Sequence, residues 1–195
     1  MSFYSVDGFI KEFYPQYWGY KEYPEDKVAR IHKVKEQWGI LGNFGNTPIT
    51  VNGLTFKSSE QLFQCMKFRD VEPLMAVYKA PQSKYPAKHW EKTHRREDWG
   101  QIFLDCLKYC LVQKYEQSEE FRDTLKNTEG LFIIEDQTDF SKKNPDAYGV
   151  KLRDGKYVGP NLLGQFLMEL RDMGTLHYQL PDDALDFIET IKVNI

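Results

Sequence analysis

No apolar run in the 195-residue chain approaches the roughly 20 residues that a membrane-crossing helix needs. The opening stretch, MSFYSVDGFIKEFY, lacks the basic-then-apolar pattern of a secretion signal, so a cytoplasmic protein with no membrane association is expected. Cysteine is scarce: three in all, an odd number, and none at metal-ligand spacing. A disulfide framework and a structural metal are therefore not expected, and no cofactor is called for. Cys106 and Cys110, four apart on a predicted helix, read as core residues. Positive net charge is also missing. The formal value of −3 gives no global attraction to nucleic acid, so any such contact must come from a local patch. Internal repeats and low-complexity segments are absent.

What is present is an ordinary globular balance of 41% apolar and 28% charged residues, with 15% aromatics. So many rings favour aromatic-lined pockets or surfaces, beside the commoner use of rings in a core. Residues 1–38, broken by Pro15 and Pro24, read as an irregular or partly strand-forming N-terminal extension. A glycine- and asparagine-rich loop follows, Gly39 to Asn46, with Asn43 and Phe44 in its middle. Asn52-Gly53 between Ile49-Val51 and Leu54-Phe56 is a hairpin signal, because Asn-Gly suits a type I′ turn. Helices are expected over Val71 to Lys79, Trp99 to Tyr115 and Glu119 to Lys126. A buried strand is expected over Leu131 to Ile134, delivering Glu135 and Asp136 to its end. Residues 137–160 read as a polar loop carrying Asp146 and Tyr148. Gly159-Pro160-Asn161 then starts an amphipathic helix whose N-terminus is open to an anion. A last short helix, Asp183 to Ile191, is expected to lie on the outside as part of a C-terminal tail, residues 174–195. Few strands and many helices predict an α+β, mostly helical single domain with a short β-hairpin.

The chain is organised around TFKSSEQLFQCMKFR, Thr55 to Arg69. Ser58 or Ser59 can cap a helix here, with Gln61 as capping partner. On a helical wheel Glu60, Gln64 and Lys67 share an arc of roughly 60°. Phe63 and Phe68 border that arc, and Leu62, Cys65 and Met66 cover much of the rest. A helix apolar nearly all round is buried, so its polar stripe must meet water, a partner or a ligand. Glu60 and Lys67 are two turns apart, about 10.5 Å of rise, too far for a direct pair and close to the length of a ribose. A second polar feature is the basic segment SKYPAKHWEKTHRRED, where Lys84, Lys88, Lys92, Arg95 and Arg96 outnumber three acids. Charge runs commonly form solvated faces, but this one is able to attract phosphate, with Arg95 and Arg96 supplying fixed donor forks. Trp99 reads either as core or as a stacking surface for a base.

The order of these motifs resembles the NADAR/YbiA-like family. The match runs from about Gly39 to Asp172 and rests on SEQLFQCMKF paired with NLLGQFLMELR. The resemblance implies an N-glycosidase domain over residues 39–173. It further implies that Glu60, Lys67 and Asp146 are catalytic. Asn43, Phe44, Trp99 and Asn161 match family positions and would bind substrate, with Gly164 and Arg171 matching the last family helix. Gln64, Arg95, Arg96 and Tyr148 join them as substrate-binding candidates from their own placement in the sequence. One departure is visible: Tyr148-Gly149 stands near Asp146 where members carry Trp-Gly. Two substrate classes are implied. One is ADP-ribose attached to guanine in nucleic acid, which the basic segment favours. The other is a small phosphoribosylated intermediate of riboflavin synthesis. In both, an amine nitrogen sits on C1 of a phosphorylated ribose.

Lys67 with a lowered pKa is suited to replace that amine through a Schiff base, with Glu60 moving protons. A second route has Glu60 or Asp146 stabilise an oxocarbenium-like sugar attacked by water. A third reading is a binding module for ADP-ribose or a nucleotide that performs no chemistry.

Overall fold

The computed structural model describes residues 5–195. The first four residues of the N-terminal extension lie outside the described residues. In chain order the elements begin with α1 (Val6–Phe13), β1 (Lys21–Pro24), β2 (Val28–Ile31), β3 (Ile49–Val51) and β4 (Leu54–Phe56). Next come α2 (Ser59–Cys65), α3 (Val71–Lys79), α4 (Lys84–His94), α5 (Trp99–Gln117) and α6 (Glu119–Lys126). The chain finishes with β5 (Phe132–Glu135), β6 (Lys151–Arg153), β7 (Lys156–Gly159), α7 (Leu162–Met173) and α8 (Phe187–Lys192). Helix dominates and the strands are few and short, the α+β class expected from the sequence. None of the helices is long and apolar enough to cross a membrane.

Two compact units are formed, each from two stretches of chain. The first comprises the described residues up to Gly45 together with Glu119–Leu176. Here β1, β7 and β6 form an antiparallel sheet, and β2 pairs in parallel with β5, Val28 opposite Phe132. The lead-in is thus partly strand, as expected, and its strands pair with elements more than a hundred residues later. Tyr23, Ile134, Val150 and Tyr157 make a buried cluster. The polar loop expected over 137–160 is corrected. Residues 151–159 are a hairpin whose turn, Asp154-Gly155, has φ of +49° and +77°. The Asp-Gly signal for a type I′ turn was readable, but charged neighbours masked the strands.

Helix α7 is pressed against β5. Asn161 adopts a left-handed backbone (φ +56°) and is fully buried. Its Nδ2 donates to Ile133 O at 2.9 Å, and its Oδ1 accepts from Glu135 N at 3.2 Å. The backbone amides of Asn161, Leu162 and Leu163 donate to the carbonyls of Gly149, Ala147 and Tyr148. The expected anion-open N-terminus is therefore closed by the protein's own carbonyls. Gly164 lies so near β5 that a Cβ on it would come within 2.1 Å of Ile133 O.

The second unit is Asn46–Ser118 with His177–Ile195. Its β3–β4 hairpin turns through Asn52 (φ +46°) and Gly53 (φ +77°), and alternates buried and exposed residues. Gln117 at the end of α5 takes Thr50 N at 2.8 Å and donates to Thr50 O at 3.0 Å. Cys65, Cys106 and Cys110 are all buried, and burial pushes the Cys106 thiol up to about 12. The last helix starts at Phe187, not Asp183. Phe187, Ile188 and Ile191 are buried, and the Phe187 ring meets Phe56 at 6.0 Å. The tail is thus part of this unit's core, not an outer layer. Lys114 on α5 is fully buried, and desolvation lowers its ammonium to about 7.

Two outcomes are expected. Gly164→Ala must prise α7 from β5 and destabilises by about 1–3 kcal/mol, read from urea unfolding. Lys114 binds its proton more weakly folded than unfolded, so wild-type stability rises with pH from about 7 towards 10.5. Lys114→Met flattens that rise in pH-resolved thermal unfolding.

Candidate active site

Helix α2 is built for burial. Ser58 Oγ accepts from Gln61 N at 3.2 Å, the expected N-cap. Gln61 Oε1 accepts from Lys57 N at 2.7 Å, and its Nε2 donates to Tyr78 O at 2.7 Å. Every residue from Ser59 to Cys65 is buried, Glu60 and Gln64 included. Glu60 is 7% exposed, and desolvation raises its carboxyl above the usual value. Gln64 Nε2, which donates to Glu60 Oε1 at 2.6 Å, works against that rise, as do the charges of Lys67 and Lys84. Gln64 Oε1 is buried with no protein partner, an acceptor suited to a ligand hydroxyl or amine.

The expected single helix through Lys67 is corrected. Regular helix ends at Cys65, and the amides of Lys67 and Phe68 bond back three residues, to Gln64 O and Cys65 O. Phe68 then forms an antiparallel bridge with Arg95, and Arg96 N donates to Lys67 O at 2.9 Å. Lys67 therefore sits on a tight turn, not two straight turns along an axis from Glu60. Its ammonium lies 5.8 Å from the ring centres of both Phe63 and Trp99, which are themselves 5.2 Å apart. Burial lowers the Lys67 pKa. Glu91 and Glu60 oppose the lowering and Arg95 adds to it.

Glu91 is the residue that the sequence reading missed. Its carboxylate meets Lys67 Nζ at 3.3 Å. The signal was its place four residues after Ala87, the buried residue of α4, with the helix otherwise basic. Trp99 is 3% exposed and forms the wall under Lys67, a core use of the ring. Arg95 is half-buried on the bridge beside Phe68. Arg96 is committed elsewhere. Its side chain is 2% exposed and holds Asp98 at 2.6 Å and Asp183 at 2.8 Å, so it has no open fork for a phosphate. Lys84, Tyr85, Lys88, His89 and Lys92 are exposed along α4.

Glu60, Gln64, Lys67, Trp99 and Arg95 thus come together in the second unit. The other five expected residues belong to the first. Asn43 and the half-exposed Phe44 lie on the loop after Leu41. Asp146 Oδ1 accepts from Gln137 Nε2 at 2.7 Å and from Tyr148 N at 3.0 Å, and it is partly buried. Tyr148 is partly exposed, and Asn161 serves as the clamp on β5. Asp136 is buried and pairs with Arg30 at 3.3 Å, a structural role. Among the described residues no group of three or more His, Cys, Asp or Glu is arranged to hold a metal.

Glu60 is thus a buried acid, and Lys67 an amine whose side chain is only 12% exposed. A profile of the NADAR domain matches residues 20–173. The chain belongs to the NADAR family. This NADAR chain is 28% identical over 150 residues to the N-glycosidase YbiA of Escherichia coli (strain K12), covering 76% of itself and 89% of the relative. It is also 28% identical over 166 residues to a riboflavin biosynthesis protein of Vibrio vulnificus, covering 84% of itself but 42% of that longer relative. The NMR structure of E. coli YbiA superposes with a TM-score of 0.61 at 26% identity, over 75% of this chain and 84% of that one.

Because Glu91 is the chief group holding the Lys67 proton, Glu91→Gln moves the titration of Lys67 to lower pH. The pH dependence of its labelling by an amine-reactive reagent, read by peptide mass, measures this.

Proposed function

We propose that this NADAR chain is an N-glycosidase that cleaves the bond between an amine nitrogen and C1 of a phosphorylated ribose. The observation that carries the reading is the Glu60–Gln64–Lys67 group, Glu60 and Gln64 buried and the Lys67 side chain 12% exposed, in which one environment raises an acid and lowers an amine. In the proposed course, Glu60 in its protonated form gives its proton to the ring oxygen. The C1–O bond breaks and C1 becomes an iminium on the departing nitrogen. Neutral Lys67 adds to C1, and its proton passes through the Glu60 carboxylate to the departing nitrogen. The C1–N bond then breaks, releasing the amine and leaving C1 bound to Lys67 as a Schiff base. Water adds to that carbon, and the sugar leaves with Lys67 regenerated. Gln64 Oε1, buried without a partner, is the proposed acceptor for a sugar hydroxyl, and Glu60 or Asp146 is the candidate for a water-only route.

The leading substrate is ADP-ribosylated guanine in nucleic acid. Its support is the row of exposed Lys84, Lys88 and Lys92 on α4, with Tyr85 70% exposed among them and Arg95 beside the lysine turn. Such a row tracks a phosphate backbone and offers a ring for stacking. The name of the Vibrio relative favours a second substrate, a small phosphoribosylated riboflavin intermediate. Salt separates the two. Each phosphate contact to single-stranded DNA contributes a slope of about −0.7 in log affinity against log salt. A small phosphate substrate shows a much shallower dependence.

The test is incubation with an oligonucleotide carrying ADP-ribosyl-guanine, a borohydride quench, and mass measurement of DNA and protein. Restored DNA with a reduced sugar adduct on Lys67, absent in Lys67→Ala, is the expected result. Glu60→Gln lowers turnover by about 10²- to 10⁴-fold. Restored DNA without an adduct moves the chemistry to the water route. If neither substrate is cleaved yet ADP-ribose binds, the chain is a binding module.

A further inference from the structure

The residues after Met173 lie outside the stretch matched by the NADAR profile, yet one of them reaches the turn that carries Lys67. Asp183 Oδ1 accepts from Arg96 Nη2 at 2.8 Å, and Asp183 Oδ2 is paired with Arg69. Arg69 follows Lys67 by two residues, and Arg96 follows Arg95. These two segments are the partners of the Phe68–Arg95 bridge, with Arg96 N bonded to Lys67 O. One tail carboxylate therefore ties together both strands of the bridge on which Lys67 and Arg95 are mounted.

Charge, more than packing, maintains this tie. A cleft of about 420 Å³ lies against it, lined in part by Phe68, Arg69, Arg96, Asp183 and Phe187. Asp183 and Arg69 therefore have open space on one side, with side chains 39% and 58% exposed. Arg96 is 2% exposed, and its two short contacts to Asp98 make it a rigid anchor. Removing Asp183 leaves a buried guanidinium short of one counter-charge and frees the Arg69 segment. The bridge backbone loses its outer restraint, and the Lys67 turn is left to its backbone bonds with Gln64 and Arg96 and its pairing with Glu91.

We propose that Asp183 is a positioning residue for Lys67, so that the C-terminal segment sets the geometry of the reactive amine. The inference rests on the N-glycosidase reading for its kinetic consequence, but not for its structural one. Touching no substrate, Asp183 acts through Arg96 and Arg69.

The test pairs hydrogen exchange with kinetics on the full chain carrying Asp183→Ala. Expected is a fall of about tenfold in protection of the Arg96 amide while the interior amides of α5 keep theirs. On whichever substrate the wild type cleaves, kcat falls by ten- to about 10²-fold with KM little changed, since misplacement of the amine affects the chemical step. Asp183→Glu restores most of both. Arg69→Gln, a change at an exposed position, gives the same pattern in weaker form and serves if Asp183→Ala fails to fold. Unchanged Arg96 protection overturns the proposal, and so does an equal loss across all amides, which is plain destabilisation. If the wild type cleaves neither substrate, the N-glycosidase reading falls, and the exchange measurement alone decides whether Asp183 holds the bridge.

Discussion

Everything in the candidate site depends on keeping water from an acid and an amine that lie near one another. Desolvation pushes the two titrations toward each other: the Glu60 carboxyl up, the Lys67 ammonium down. Were the Phe63–Trp99 wall opened to solvent, the Lys67 titration would move back toward its ordinary value. A carboxylate beside an ammonium is a stable pair and a poor catalyst. The wholly buried α2, an uncommon fate for a helix holding Glu and two Gln, is the structural source of that desolvation.

Glu91 sets a limit on this strategy. A carboxylate 3.3 Å from the amine favours its protonated form and so works against nucleophilicity. It also satisfies the ammonium while no substrate is present, which a buried charge requires. The geometry fits a compromise between resting stability and reactivity. In the proposed mechanism, a substrate that displaced Glu91 from Lys67 would release the amine for addition to C1. Gln64 plays a milder version of the same part for Glu60, donating one proton while its own oxygen stays open.

The parts of this arrangement that sequence discloses are those with local causes. The Ser58 cap, the Asn-Gly hairpin and the apolar wheel of α2 are written within a few residues, and all appear in the structure. Lys67 and Glu60 were visible as polar residues in an apolar helix. Their relation was not, because the helix stops at Cys65 for a tertiary reason, the pairing of Phe68 with Arg95. Arg96 looked like its neighbour Arg95. Only the fold brings Asp183 to it across 87 positions. Asn161 looked like a site residue, and in the fold it serves, with Gly164, the seam of α7 and β5. Motif resemblance marks residues that matter without saying whether they matter for chemistry or for packing.

The interleaved path of the chain has a consequence for synthesis. β2 cannot find its parallel partner until β5, about a hundred residues later, has been made, and β1 must wait for β7. The hairpin and α2 emerge early, yet α8, whose Phe187 meets Phe56, follows more than a hundred residues later. Each unit therefore holds early segments whose partners lie more than a hundred residues downstream. Long-range pairings of this kind slow folding and leave apolar strands waiting. This architecture is one for which nascent-chain chaperones should matter, and in which loss of the segment after the last NADAR-matched residue removes Phe187, Ile188 and Ile191 from the core of the second unit.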